Sequence, residues 1–298
     1  MAITQTLANP INKRQSGLAR TWGLLMKNRA GMVGVIALGA FVFISFIGPL
    51  FVPPQTQADT TAINKGPSAA HWLGTDSQGH DNGVQLLYGG KDILIIAVTT
   101  GVLETALGFI VGALAAFIGG RFSSVLQTFT EVWLTIPKFV LLAILATLFK
   151  LNSVLLIAIL IALLSWPSLA LQVRTQILSL RERDYVQAAQ MLNLGTSHII
   201  FKEMLPNMMS FVMVSLISAM IDAVYYQVGL VFLGLIPFSS ANWGVMFSIA
   251  FAKGAHFQIN SAWSLLVPLA AIVLFQLALL SLQRALEEVF NPRLRTDA

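Results

Sequence analysis

The sequence contains no cysteine, which excludes disulfide staples and thiolate metal sites. Charge is its second scarcity: Asp, Glu, Lys and Arg make up 10% of the 298 residues, against about 25% in soluble domains. The four histidines, His71, His80, His198 and His256, are scattered, and no H-E-x-x-H spacing joins them. No G-x-x-x-x-G-K-[ST] run occurs, so nucleotide binding through a phosphate loop is excluded. No G-x-S-x-G turn is present to raise a serine nucleophile. Internal repeats with a period of about 20–50 residues are missing as well. What remains is apolar, 56% hydrophobic with a mean hydropathy of +0.76. A single soluble core cannot hide that much apolar surface, so the composition implies an all-α helical bundle solvated by lipid.

Six apolar segments can be drawn, at about 30–52, 92–121, 125–149, 153–173, 208–236 and 262–283. Each is close to or above the roughly 20 residues that a helix needs to cross about 30 Å of hydrocarbon. Helices satisfy their own backbone within the bilayer, and the alternating pattern of barrel strands is absent. The run after Arg29 is longer than the apolar core of a signal peptide and leads into FVPPQTQ without a small-residue cleavage site, so it reads as a retained first span. The chain divides into a leader 1–29, a first span 30–52, a loop 53–91, a membrane core 92–290 with a polar loop at 174–207, and a tail 291–298.

Basic residues set the expected orientation. With both termini in the cytoplasm, 13 of the 18 Lys and Arg lie inside. Lys65, Lys91, Lys150 and Lys253 lie outside and Lys138 within a span. This placement explains the net charge of +5 without a nucleic-acid partner. It puts 174–207 inside and 53–91 outside.

The inner loop is too polar to cross a membrane, yet it carries a helical stripe at Tyr185, Ala188, Ala189 and Leu192. A helix over 184–197 is expected, bracketed by Arg183/Asp184 and by Asn193–Gly195, whose Asn and Gly tolerate left-handed backbone. Periodicity alone leaves two readings open: an amphipathic helix resting on lipid, or a docking element for another protein. The outer loop, rich in Pro, Gly, Asn and Asp, also has two. Thr75, Asp76 and Asp81 can tie turns together as a scaffold, or the loop can face a partner as a lid. Glu104, Lys138 and Asp222 fall near mid-membrane, where ionisable groups are expensive. Either they pair across helices or they line a path that touches cargo. Trp133, Trp166, Trp243 and Trp263 read as interfacial or packing anchors.

The inner loop resembles the EAA loop of ATP-binding-cassette importer permeases. Gln187, Ala188 and Ala189 fill its first places, Asn193 its glycine place, and Leu205, Pro206 and Asn207 its end. Gln stands for the acidic residue, and Gly195 comes two places late. The outer stretch HWLGTDSQGHDNGVQLLYGGKDIL resembles the G-T-D-x-x-G-R-D…Y-G-x-R signature of peptide-type permeases through Gly74, Thr75, Asp76, Gly79, Asp81, Tyr88 and Gly89. His80, Gln85 and Lys91 stand where that family usually has arginine. Further echoes are Glu131 before Pro137, FLGL at 232–235, Trp243-Gly244 and NPRLR at 291–295. Gln227 stands where the family often has Glu.

The resemblance is to the C-type subunit of the dipeptide/oligopeptide/nickel permease family. It implies a MetI-like type I importer fold of about six spans in a bacterial or archaeal inner membrane, without catalysis of its own. Its implied partners are a second homologous permease, two ATP-binding subunits that hold ATP and Mg, an extracytoplasmic solute-binding protein and the lipid bilayer. The coupling set would be Asp184, Tyr185, Gln187, Ala188, Ala189, Leu192, Asn193, Gly195 and Pro206, which would carry ATPase closure into the spans. Peptides are the expected cargo. Glu203 and RALEEVFNPRLR resemble an oligosaccharide-carrying branch, which keeps that cargo as an alternative. Nickel complexes have less support, because the spans hold no His cluster. The rival class is an autonomous secondary transporter, for which neither inverted repeats nor an ion-coupling site is visible.

Overall fold

The computed structural model describes residues 23–290 except 24, 27, 56, 57, 150 and 152. Most of the leader, the tail with its NPRLR run, and Lys150 therefore lie outside the described residues. Most of those described are helical, with a single isolated bridge, Thr75–Asp81, in place of strands.

The first span, α1 (Arg29–Phe46), continues through a short turn, Gly48–Phe51. Asn28 caps it by accepting from Gly31 N at 3.0 Å, and its amide donates to Glu288 near the chain's end. Four more helices are long and apolar enough to span: α2 (Asn82–Ile118), α5 (Val154–Arg181), α7 (Met209–Phe232) and α9 (Ala262–Phe290). Between α2 and α5 lie α3 (Gly120–Leu134) and α4 (Lys138–Phe149), and α6 (Asp184–Met191) follows α5. The ten-residue α8 (Trp243–Ala252) precedes α9.

α2 is the axis of the bundle, packed along α5 and also against α7 and α1. Its close approach to α5 needs a glycine: a Cβ on Gly112 would sit 2.4 Å from Ala170 O. The 37 residues of α2, at about 1.5 Å each, make it roughly 55 Å long, well beyond the hydrocarbon layer. α9 packs on α1, α8 and α7. Trp243, fully buried, locks α8 to α2 by donating from Nε1 to Leu86 O at 2.9 Å, and its ring packs edgewise on Phe41.

Several boundaries differ from those expected. The outer loop ends at Asp81 rather than Lys91, because Asp81 accepts from Gly83 N at 2.7 Å and Val84 N at 3.1 Å and so starts α2 ten residues early. The segment 125–149 is a bent pair of helices rather than one straight helix. α3 and α4 meet at a 79° bend, where Pro137 lacks an N–H and pushes Ile136 out of helical geometry. α5 runs on to Arg181, so helix rather than loop carries Arg174. α9 likewise extends past 283 to Phe290. α8 lies outside the six expected segments, its ten residues being too few to cross the hydrocarbon layer.

Candidate functional site

α6 hangs from the end of α5 through Glu182 and Arg183. Val186 N and Gln187 N both bond to Arg183 O, at 3.0 and 3.1 Å, and no side chain caps this end. The helix is eight residues long, shorter than the expected 184–197. It stops at Met191 because Asn193 takes left-handed backbone, φ 53°, while Leu194 N returns to Ala189 O at 3.2 Å. Asn193 thus does the turning, and Gly195, at φ −59°, does not. The chain then re-enters the body through a π turn, Ile199–Met204, ahead of Pro206. Pro206 has no N–H to offer the carbonyl four residues back, and a widened turn accommodates that gap.

The expected stripe divides between two faces. Ala189 points into the body together with Val186, which sequence periodicity had not singled out, and Val186 is 0% exposed. They join a cluster with Val173 and Ile177 of α5, Ala113 and Ala116 of α2, and Ile199, Ile200 and Met204 of the return. Tyr185, Ala188 and Leu192 point outward with Met191. Met191 is 85% exposed and Leu192 73%. A short helix therefore has one seated face and one bare apolar face. An open groove beside it is lined by Leu178, Arg181, Glu182, Gln187, Gln190 and Met191. Asp184 is exposed at the first turn. Burial pushes the Tyr185 phenol up, opposed by Arg183 and assisted by Glu203.

At the opposite end of α2 the motif residues of the loop before it form one hydrogen-bonded knot. The Thr75 hydroxyl accepts from Lys65 N at 2.9 Å and donates to Ala62 O. Asp76 accepts from the backbone of Gln78 and His80, each at 2.8 Å, and from Gln85 Nε2 at 2.7 Å. Gln85 and His80, which stand where the resembled family usually has arginine, both contact Asp76. Asp81, besides capping α2, contacts His71 Nδ1 at 2.7 Å. Gly74 and Gly79 supply positive φ of 72° and 87°. Tyr88 lies on α2 and donates to Val52 O at 2.7 Å, tying α1 to α2. At the loop's edge, the hydroxyl and N–H of Thr61 hold the Asp59 carboxyl below its ordinary range.

Glu104 of α2, Lys138 of α4 and Asp222 of α7 come within electrostatic reach of one another. Among the described residues the ion pairs within 4.0 Å all involve histidine, and Lys138 forms none of them. Its ammonium instead sits 5.6 Å from the centre of the Tyr226 ring. Glu104 is 8% exposed, and its Oε2 has no hydrogen-bond partner in the described chain. The side chain of Gln227, wholly buried, is without partners at both amide atoms. Asp222 and Tyr225 are exposed. On α3, Ser124, Thr128 and Glu131 are exposed. Among the described residues no group of His, Cys, Asp and Glu is placed to hold a metal ion.

Comparison with known proteins agrees with this architecture. The family described as binding-protein-dependent transport system inner membrane component matches residues 108–296. The N-terminal TM domain of oligopeptide transport permease C matches residues 16–67. A putative peptide permease protein of Brucella suis biovar 1 (strain 1330) is 34% identical over 279 residues, 93% of this chain and 91% of that one. The dipeptide transport system permease protein DppC of Bacillus subtilis (strain 168) is 30% identical over 278 residues, covering 92% and 85%. The oligopeptide transport system permease protein OppC of the same organism is 27% identical over 292 residues, covering 97% and 94%. With the multi-span bundle, these matches establish that the chain belongs to the family of binding-protein-dependent transport system inner membrane components and is a multi-pass permease of the inner membrane.

Proposed function

We propose that the chain is one half of the translocation path of a peptide importer, and that α6 is where ATPase subunits move it. The observation that carries this reading is the two-faced α6. Val186 and Ala189 fasten it to α2 and α5, while Tyr185, Ala188, Met191 and Leu192 leave an apolar face without cover from the described chain. Bare aromatic and aliphatic side chains of this size ask for a protein surface. In this reading α6 and both termini face the cytoplasm, in keeping with the distribution of basic residues.

Two ATP-binding subunits hold ATP and Mg, and this chain contributes no catalysis. Closure of that pair pushes α6, and the push reaches α2 and α5 through the Val186/Ala189 seat. A sister permease completes the path and a solute-binding protein delivers cargo from outside. Peptide cargo is supported by relatives named for peptide, dipeptide and oligopeptide transport.

The test places a photoreactive residue at Leu192 in the complex within its native membrane. Crosslinking to the ATP-binding subunit from position 192, and none from the seated position 186, is the expected result. Crosslinking of 192 to lipid alone would turn α6 into an interfacial helix and end the reading.

A further inference from the structure

The mid-membrane cluster carries a carboxylate excess that the described chain does not balance. Glu104 and Asp222 share one ammonium, that of Lys138, and Lys138 touches neither directly. Glu104 is more than nine-tenths buried and keeps an unpartnered oxygen. A buried carboxylate without a partner is costly, and an ionisable group retained within a membrane marks a functional site, one that an incoming cation would stabilise. Asp222 and Tyr225 lie three residues apart on α7 and so share a face of that helix. Both are open, with Tyr225 61% exposed. A carboxylate beside an exposed aromatic ring suits an ammonium group, through charge and through the ring's negative face. The chain supplies an example, because the Lys138 ammonium already rests over the neighbouring Tyr226 ring.

Resting on the peptide-importer reading above, we propose that Asp222 and Tyr225, with Glu104 behind them, form a station that receives the free α-ammonium group of a peptide in transit. Lys138 is a tethered competitor at that station. It keeps the carboxylates tolerable in the membrane when no cargo is present and yields when a peptide amine arrives. Cargo with a blocked amino terminus brings no cation and gains nothing there.

The experiment uses the whole importer in proteoliposomes, supplied with its binding protein and ATP. Uptake of trialanine is compared with that of N-acetyltrialanine, each at a concentration that saturates the binding protein. The wild-type complex should favour the free amine by about ten-fold, the worth of one charge-assisted hydrogen bond. Asp222→Asn should bring the ratio towards one, and Lys138→Met should raise it. Opposite signs from two residues of one cluster would not arise from a packing role. A wild-type ratio near one, a ratio untouched by Asp222→Asn, or a fall with Lys138→Met would overturn the station and leave the importer reading standing. Failure of both variants, and of Glu104→Gln, to assemble would mean that the cluster pairs with the sister permease, and would overturn the station too. If the wild-type complex imports neither compound, the peptide-importer reading falls and the station falls with it.

Discussion

Replacing Val186 by alanine isolates the seat of α6 from its outward face. The side chain is 0% exposed and packs into the cluster formed with Val173, Ile177, Ile199 and Met204. Two buried methyl groups are lost, at about 0.8 kcal/mol each, or roughly 1.6 kcal/mol before any cavity contribution. The balance between seated and loosened α6 then shifts about fifteen-fold towards the loosened form. Tyr185, Met191 and Leu192, which face outward, are untouched, so docking of the ATP-binding subunits should survive. The variant complex is expected to hydrolyse ATP near the wild-type rate while moving fewer peptides per ATP. Hydrogen exchange over 184–200 should quicken by a similar factor. Uptake and hydrolysis are measured together in proteoliposomes. Unchanged peptides per ATP alongside accelerated exchange would refute the idea that rigidity of the seat carries the coupling.

Three further outcomes are expected. Ala188→Pro, which breaks α6, and Ala189→Trp, which overfills its seat, should abolish uptake while membrane insertion, read by fractionation and blotting, persists. Asp81→Ala removes the acceptor of two backbone N–H groups at the start of α2 and should cost about 1 kcal/mol, seen as a lower Tm of the purified complex in detergent. Gly112→Val sets side-chain atoms against Ala170 O, which a Cβ would approach to 2.4 Å. It should lower Tm further than Asp81→Ala, whereas Gly39→Val, at a site with nothing within 4 Å, should not.

Apolar length alone identified the membrane class and located all five long spans, because lipid leaves the backbone few alternatives. Ends were harder to place. Hydropathy marks where a helix leaves hydrocarbon, not where it stops, so α2 and α5 extend into polar sequence that looked like loop. The Asp81 cap could have corrected the first of these, since Asp ahead of Asn-Gly-Val is a start signal. Pro137 was visible, yet a proline within an apolar run can kink a span as well as break it, and tertiary packing decides which. α8 is too short for a span and is apolar all round, so no stripe distinguishes it. In the inner loop the residue types at Tyr185, Ala188, Ala189 and Leu192 were readable, but not the direction of each face. That direction depends on how α5 ends at Glu182 and Arg183, a feature set by packing rather than periodicity. The grouping of Glu104, Lys138 and Asp222 was foreseeable from depth, since three charges at one level of a narrow bundle have few places to go. Their spacing was not, and Tyr226 as the resting place of Lys138 emerged only from the fold.

The central claim is that this permease is moved by nucleotide-consuming partners gripping α6. Reconstituted vesicles provide the direct measurement, with peptide accumulation followed in the complete complex and in this subunit alone. Accumulation that requires ATP and both ATP-binding subunits, and that Ala188→Pro eliminates, is the predicted result. Accumulation by the lone subunit under an ion gradient would contradict the account.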